Sequence, residues 1–218
     1  MPATTILQRE SIGVIDYRCD ARPGDRPFVE LHRDYSVSYV RKGSFGYRLR
    51  GKTHELVAGS ILVGHPGDEY TCTHDHHVCG DECLSFRLAP ALVETLSEGR
   101  AHAAPRMKSR WRIGCVPPLP ELMVLGELAQ AAVARNNDVG VDEAGLLLAA
   151  RFVEIVCDRE RRPLQAHERD RRRAVRAALW IDEHSHEEID FEQAAREAGL
   201  SPFHFLRLFL YGDRKSVV

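Results

Sequence analysis

Short runs of alternating apolar and polar residues follow one another closely over residues 1 to about 90, and this spacing constrains the fold most. Turn signals such as Arg50-Gly-Lys52 and His65-Pro-Gly-Asp68 separate runs that are rich in β-branched and aromatic residues, at residues 35–40, 45–49, 54–57, 60–63 and 84–88. Many short strands at such close, even spacing predict a sandwich or small barrel and not a βαβ sheet.

Helical periodicity replaces this alternation in the middle of the chain. The run Pro117-Pro-Leu-Pro120 cannot continue a helix and marks a junction. Residues 119–135 and 142–159 then each place apolar residues on one stripe, with a turn at residues 136–140 between them. Such an antiparallel helix pair either covers the open face of the β-domain or pairs with a second subunit, and the sequence leaves both possibilities open.

The end of the chain has the pattern of a helix-turn-helix at residues 191–209. Gly199 suits the positive φ of a tight interhelical turn, Ser201 is a plausible cap, and Pro202 suits the first turn of the next helix. The outer face of that second helix would carry the residues that contact DNA, which are Ser201 at its start and Phe203, His204, Leu206 and Arg207 along it. An ordinary pair of helices in a bundle is the alternative.

Cysteine and histidine are concentrated between residues 72 and 83. Thiolate and imidazole are the ligands that zinc prefers, so a metal site is one interpretation of this segment, with the candidate ligands Cys72, His74, His76, Cys79 and Cys83. A polar loop with partly buried cysteines is the other, because the spacing matches no standard zinc module. Zinc is therefore a possible cofactor, and we expect no other.

Charge and hydropathy narrow the function classes. The formal net charge of −2 argues against a protein that coats nucleic acid, although arginines far outnumber acids between Arg159 and Arg176. No apolar run approaches the ~20 residues that span a bilayer, and the N-terminus lacks the pattern of a secretion signal. We expect a cytoplasmic protein with no membrane partner and with reduced thiols.

Two segments carry a family resemblance. Residues 40–67, with Gly59, Pro66 and Gly67, resemble the sensor half-barrel of the cupin superfamily. The frame Ala195, Gly199, Ser201, Phe205, Arg207 and Phe209 resembles the first helix-turn-helix unit of the AraC/XylS family of bacterial transcription regulators. The resemblance implies a small-molecule effector, promoter DNA, a homodimer and, for an activator, RNA polymerase as partners.

The chain departs from that family at its end. The resemblance implies two helix-turn-helix units, but the chain stops nine residues after Phe209. Residues 213–218 are also what one reading frame of a common sequencing adapter encodes, so we expect that the natural gene continues and that this tail is foreign. A single unit supplies few phosphate contacts and should bind DNA weakly.

The combined prediction is an α+β chain with four parts. A cupin-like barrel or half-barrel occupies residues 1–110, and a helix pair that could mediate dimerisation occupies residues 111–158. A linker follows at residues 159–169, and an incomplete all-α helix-turn-helix domain occupies residues 170–218. The candidate effector-binding residues are Tyr39, Tyr47, His65 and Tyr70.

The leading functional prediction is that the protein is a sequence-specific transcription regulator and not an enzyme. A metal-dependent cupin enzyme that uses residues 72–83 is the first alternative. Tyr70 counts against it, because metal-binding cupins usually place a histidine at that position. A sensor or oligomerisation module without DNA binding is the second alternative.

Overall fold

The computed structural model describes residues 2–74, 80–98, 111–135, 138–158, 168–187 and 191–200. Ten strands and five helices lie in these ranges. The strands are β1 (Ala3–Gln8), β2 (Ile12–Arg18), β3 (Val29–Leu31), β4 (Tyr35–Lys42), β5 (Ser44–Leu49), β6 (Lys52–Val57), β7 (Ile61–Gly64), β8 (Glu69–Thr73), β9 (Glu82–Leu88) and β10 (Cys115–Val116). The helices are α1 (Pro90–Glu98), α2 (Pro120–Val133), α3 (Val141–Asp158), α4 (Glu168–Glu183) and α5 (Phe191–Glu197).

Two antiparallel sheets face each other. The first sheet has the strand order β1-β2-β9-β4-β7-β10, and the second has the order β3-β8-β5-β6. All five runs that the sequence predicted as strands are strands here, and they became β4, β5, β6, β7 and β9. The prediction of a cupin-like antiparallel β-domain followed by helices is confirmed.

The larger core lies between the first sheet and the helix pair α2–α3. Outward-facing residues of β2, β4, β7 and β9 pack against Leu122 on α2 and against Leu148 and Phe152 on α3, all fully buried. Helix glycines allow this close approach, since a Cβ on Gly126 would lie 2.5 Å from the ring of Tyr39 and one on Gly145 would lie 2.3 Å from the ring of Phe86. The helix pair therefore covers the face of its own β-domain, which is one of the two possibilities that the sequence left open.

A second, smaller core lies between the two sheets. Val40, Leu62 and Cys83 from the first sheet meet Phe45, Tyr47 and Leu56 from the second. The first sheet is thus buried on both faces, although by different partners. Its last strand, β10, pairs with β7, so the sheet continues past residue 110.

The C-terminal helices form a small core of their own, and α4 also contacts β6. Ala177 of α4 packs against Ala194, Ala195 and Ala198 in and after α5, and small side chains allow the two helices to approach closely. Gly199 follows α5 with a φ of +64°, so the predicted turn conformation is present. The second helix of the predicted helix-turn-helix lies outside the described residues.

Helix hydropathy gives one further result. Within the described ranges, no helix is both long and apolar enough to cross a membrane.

We expect the substitution Gly145→Ala to destabilise the fold. Alanine is the better helix former by about 1 kcal/mol, but its methyl group would collide with the buried ring of Phe86, and overpacking costs about 1–3 kcal/mol. The net loss should be up to about 2 kcal/mol in urea unfolding. The control Val124→Ala, on an exposed side chain of α2, should change stability by less than about 0.5 kcal/mol. A stabilised Gly145→Ala protein would contradict this packing.

Candidate functional site

A cavity of about 180 Å³ lies between the two sheets. Its wall is polar on the side of the first sheet. Successive side chains of a strand point to opposite faces, so polar residues that face the cavity alternate with apolar residues that face the helices. Val37 and Phe86 face the helices, and their neighbours Ser36, Ser38 and Ser85 face the cavity. The remaining lining residues include Tyr17, Glu30, His32, Asp34, Phe45, Leu62, Tyr70, Asp81 and Arg87.

Hydrogen bonds order the polar wall of this cavity. Ser38 and Ser85 are direct cross-strand partners, and the Ser38 hydroxyl donates to Ser85 Oγ at 2.8 Å. Arg87 donates from Nη2 to the Tyr17 hydroxyl at 2.7 Å, and its Nη1 lies 3.6 Å from an Asp34 carboxylate oxygen. A guanidinium group has five N–H donors, so Arg87 retains donors for a ligand that carries hydroxyl or anionic groups.

Three aromatic rings meet at one end of the cavity. The ring of His32 stacks on that of Tyr70 with centroids 4.1 Å apart, and its Nε2 lies 2.8 Å from the Tyr47 hydroxyl. Burial lowers the pKa of His32 to about 4, so the imidazole is neutral at pH 7. Burial also raises the pKa of both tyrosines, whose phenols therefore stay protonated. The cluster is an uncharged, hydrogen-bonded wall.

The candidate effector-binding residues fall into two groups. Tyr47 and Tyr70 belong to the aromatic cluster, with ring centroids 5.5 Å apart, and Tyr70 lines the cavity. Tyr39 and His65 do not line it. Strand alternation places Tyr39 on the opposite face of β4, where its hydroxyl donates to Glu127 on α2 at 2.6 Å. His65 lies in the turn after β7, against the ring of Tyr35.

His74 does gather potential metal ligands, but not the predicted ones. Its Nε2 lies 3.6 Å from Cys19 Sγ and 3.0 Å from Asp81 Oδ2. Cys72 and Cys83 are not members of this group of three, although the Cys83 thiol donates to Asp81 Oδ1 at 3.8 Å. His76 and Cys79 lie outside the described residues. Among the residues the structure describes, the group of potential metal ligands is Cys19, His74 and Asp81, of which His74 belongs to the predicted set.

The sulfur atoms of the inner core are poorly solvated. Burial raises the pKa of the Cys72 and Cys83 thiols well above the ordinary value. The Glu30 carboxylate and then that of Asp81 raise the pKa of Cys72 further, and Asp81 raises that of Cys83. Burial alone raises the pKa of Cys115. These three cysteines are free and protonated at neutral pH.

Sequence reasoning missed His32, Arg87, Cys19 and Asp81. A signal for Arg87 was present, because Ser85 and Arg87 are the polar members of an alternating strand and must share a face. Nothing local pairs Cys19 with Asp81, since that contact depends on the register of β2 against β9. The predicted DNA-contacting residues Ser201, Phe203, His204, Leu206 and Arg207 lie outside the described residues.

The depressed pKa of His32 predicts a pH-dependent stability. An unfolded chain takes up a proton at this histidine near pH 6.5, while the folded chain does so only near pH 4. This histidine therefore does not lower the free energy of unfolding above about pH 6.5. As the pH falls from there towards 4, the free energy of unfolding decreases progressively, by up to about 3 kcal/mol. His32→Gln should remove this loss in urea unfolding at pH 7 and pH 4.5. An NMR titration that places the His32 pKa near 6.5 would contradict the prediction.

Comparison with known proteins agrees with this architecture. Residues 19–120 match the family model described as the AraC-like ligand binding domain. We found no significant match among curated protein sequences.

Solved structures give distant likenesses. The AraC-like transcriptional activator CuxR is 13% identical, with 92% of this chain and 70% of that chain covered at a TM-score of 0.44. A cupin superfamily protein from Desulfitobacterium hafniense is 10% identical, with 40% and 75% covered at a TM-score of 0.33. The Schizosaccharomyces pombe Cnp3 cupin domain is 11% identical, with 44% and 69% covered at a TM-score of 0.36. From the family match and the paired sheets, residues 19–120 form an AraC-like ligand-binding domain with a cupin fold.

Proposed function

We propose that this chain is a transcription regulator whose barrel binds a small polar effector and whose C-terminal unit binds DNA. The observation that carries the proposal is the cavity of about 180 Å³, with its polar wall, inside the segment that matches a ligand-binding domain. An apolar cavity of about 150 Å³ holds benzene, so the volume suits a compact ligand. Catalysis is not part of this proposal.

The lining chemistry defines the class of effector. Arg87 and the serine hydroxyls supply donors, and the neutral aromatic cluster of His32 and Tyr70 supplies a flat apolar surface. Glu30 and Asp34 restrict the net charge that the cavity accepts, because both line it with acidic side chains. A small hydroxylated or singly anionic molecule with a planar or compact body fits this arrangement best.

A physical route connects the cavity to the C-terminal helices. Strand β4 presents Ser38 to the cavity and the adjacent Tyr39 to Glu127 of α2. Asp182 of α4 lies within electrostatic range of Tyr39, Glu127 and Lys42, and burial together with Glu127 raises its pKa. A shift of β4 on effector binding would therefore act on the packing of α4. Differential packing of this kind is what couples two sites.

The predicted arginine-rich segment and helix-turn-helix motivate the DNA-binding part of the proposal. Positive charge next to a groove-reading helix provides phosphate contacts, and a homodimer would double them. Promoter DNA and a second copy are the partners that this function requires, and an activator also requires RNA polymerase. A sensor module without DNA binding differs from it in one measurable respect, since this chain would shift no DNA in a gel-shift titration, whereas a chain with a second helix-turn-helix unit would.

A metal-dependent enzyme is the second candidate function, and the cluster of Cys19, His74 and Asp81 is the observation that favours it. Such an enzyme would show turnover with stoichiometric metal. A regulator would instead show ligand-dependent DNA binding without consumption of the ligand.

We expect an effector to be found by thermal shift with small hydroxylated and monoanionic metabolites, and Arg87→Met to lose it. The lost charge-assisted hydrogen bond is worth about 1.5–3 kcal/mol, which is at least about tenfold in affinity. The matched control is Arg48→Met, on an exposed side chain of β5, which should bind as the wild type does. Equal loss in both variants would argue against the cavity as the binding site.

We expect Arg207→Ala to relax sequence discrimination at one base step of a selected operator. An arginine that bonds a guanine edge contributes about 1–3 kcal/mol to discrimination. Competition anisotropy with operator variants measures this loss, in a chain completed to two helix-turn-helix units. The control Arg112→Ala removes the same charge from an exposed position near the barrel. Unchanged discrimination in Arg207→Ala would remove this residue from the base-reading set.

A further inference from the structure

Three potential metal ligands meet at the rim of the barrel, where β2 and β8 end and β9 is about to begin. Cys19 directly follows β2, His74 directly follows β8, and Asp81 directly precedes β9. One ligand atom from each side chain lies within 4.8 Å of the other two. His74 and Asp81 are buried and Cys19 is half-buried, so the three groups form a compact polar cluster at the edge of the interior.

Backbone hydrogen bonds fix two of the three ligands relative to each other. The Cys19 amide donates to the Asp81 carbonyl at 2.8 Å, and the Asp81 amide donates to the Cys19 carbonyl at 3.1 Å. This pair extends the β2–β9 ladder by one residue beyond the pair Arg18 and Glu82. The strands approach closely here, since a Cβ on Gly80 would lie 1.7 Å from the Cys19 carbonyl oxygen. The two side chains are therefore held on one face without any ligand.

The distances between the ligand atoms fit a tetrahedral zinc ion. With Zn–S of about 2.3 Å, Zn–N of about 2.1 Å and Zn–O of about 2.0 Å, tetrahedral geometry separates sulfur from nitrogen by about 3.6 Å and nitrogen from oxygen by about 3.3 Å. The observed separations are 3.6 Å between Cys19 Sγ and His74 Nε2, and 3.0 Å between His74 Nε2 and Asp81 Oδ2. A cation fits between these atoms with only small adjustments.

Polar interactions with the Asp81 carboxylate also hold this cluster together, since His74 Nε2 lies 3.0 Å from its Oδ2 and the Cys19 and Cys83 thiols both interact with it. The same ring nitrogen, His74 Nε2, faces both the Cys19 sulfur and the Asp81 carboxylate. A divalent cation would interact with the nitrogen lone pair and with both other groups at once, and its charge would offset those of a thiolate and a carboxylate.

We propose that Cys19, His74 and Asp81 bind a thiophilic divalent cation of the zinc type. This site is separate from the aromatic cluster, because Tyr70 lies near the start of β8 and His74 follows its end. It also differs from a site made only of residues 72–83, since it draws one ligand from the distant end of β2.

Two of the three proposed ligands border a cavity of about 480 Å³. Cys19 and His74 line this cavity together with Arg22, Phe28 and Cys72. Three protein ligands and one open position are typical of zinc sites that bind an exogenous group. Cys72 lines both this cavity and the cavity between the two sheets. A ligand group bound to the metal would therefore lie next to the space assigned to the effector.

Cobalt(II) provides the test, because its complexes report coordination through their absorption spectra. The full chain is stripped with a chelator and titrated with Co²⁺, and Zn²⁺ is then added to displace it. We expect one Co²⁺ per chain, d–d bands of tetrahedral intensity and a thiolate-to-cobalt charge-transfer band that Cys19→Ser abolishes. Asp81→Asn and His74→Gln should weaken binding by at least about tenfold, since the loss of even an outer-shell partner costs about 10–100-fold.

The matched control is Cys115→Ala, which removes a buried thiol from the core between the sheets and should leave the titration unchanged. Metal-free melting curves show whether each variant folds. If Cys19→Ser does not fold, X-ray absorption of the zinc-loaded wild type decides, with one sulfur and two or three nitrogen or oxygen neighbours expected.

Three results would overturn the proposal: no binding below about 100 µM, an unchanged charge-transfer band in folded Cys19→Ser, or a coordination shell with two or more sulfurs. No DNA or effector enters these measurements. Their failure would leave the proposed regulator function untouched, and failure of DNA binding would leave the metal site untouched.

Discussion

Burial of one face of the six-stranded sheet by the helix pair is the interaction on which the rest of the structure depends. Tyr39 and Phe86 on that face pack against α2 and α3, and helix glycines bring the backbones close. Removal of this apolar surface from water contributes about 25 cal/mol per Å², so it is the main stabilising contact of the β-domain. Because the helices supply that core, the opposite face of the sheet is not required to be apolar.

The polar inner face follows from this division. The polar residues that line the cavity from the first sheet would be unfavourable at the centre of a single sandwich core, because each buried polar group needs a hydrogen-bond partner. These residues are Ser36, Ser38, Ser85 and Arg87. Here Ser38 donates to Ser85 across the strands, Arg87 donates to the Tyr17 hydroxyl, and a cavity lies between the sheets. The proposed effector site and the proposed metal site both use inward positions, and they lie towards opposite ends of β8.

Much of the architecture could be predicted from local patterns. The alternation of residues 35–40 and 84–88 predicted β4 and β9, and apolar stripes predicted α2 and α3 to within about two residues. The site was harder to predict. Tyr47 and Tyr70 were named and do meet, while Tyr39 was named and faces the helices. Alternation identifies which residues share a face but not which face lines the cavity, because both faces of this sheet are buried.

The sequence by itself therefore determined the order of β-strands and helices and the glycine turn at Gly199. It also determined two classes of residue on each strand, which are the alternate positions that face the two sides of the sheet. All of these depend on contacts within a few positions. Only the tertiary structure decided which class faces the helices and which lines the cavity. It also decided that Cys19 and Asp81 meet beside His74. That meeting depends on the β2–β9 register, which is set by backbone pairing between segments more than sixty residues apart.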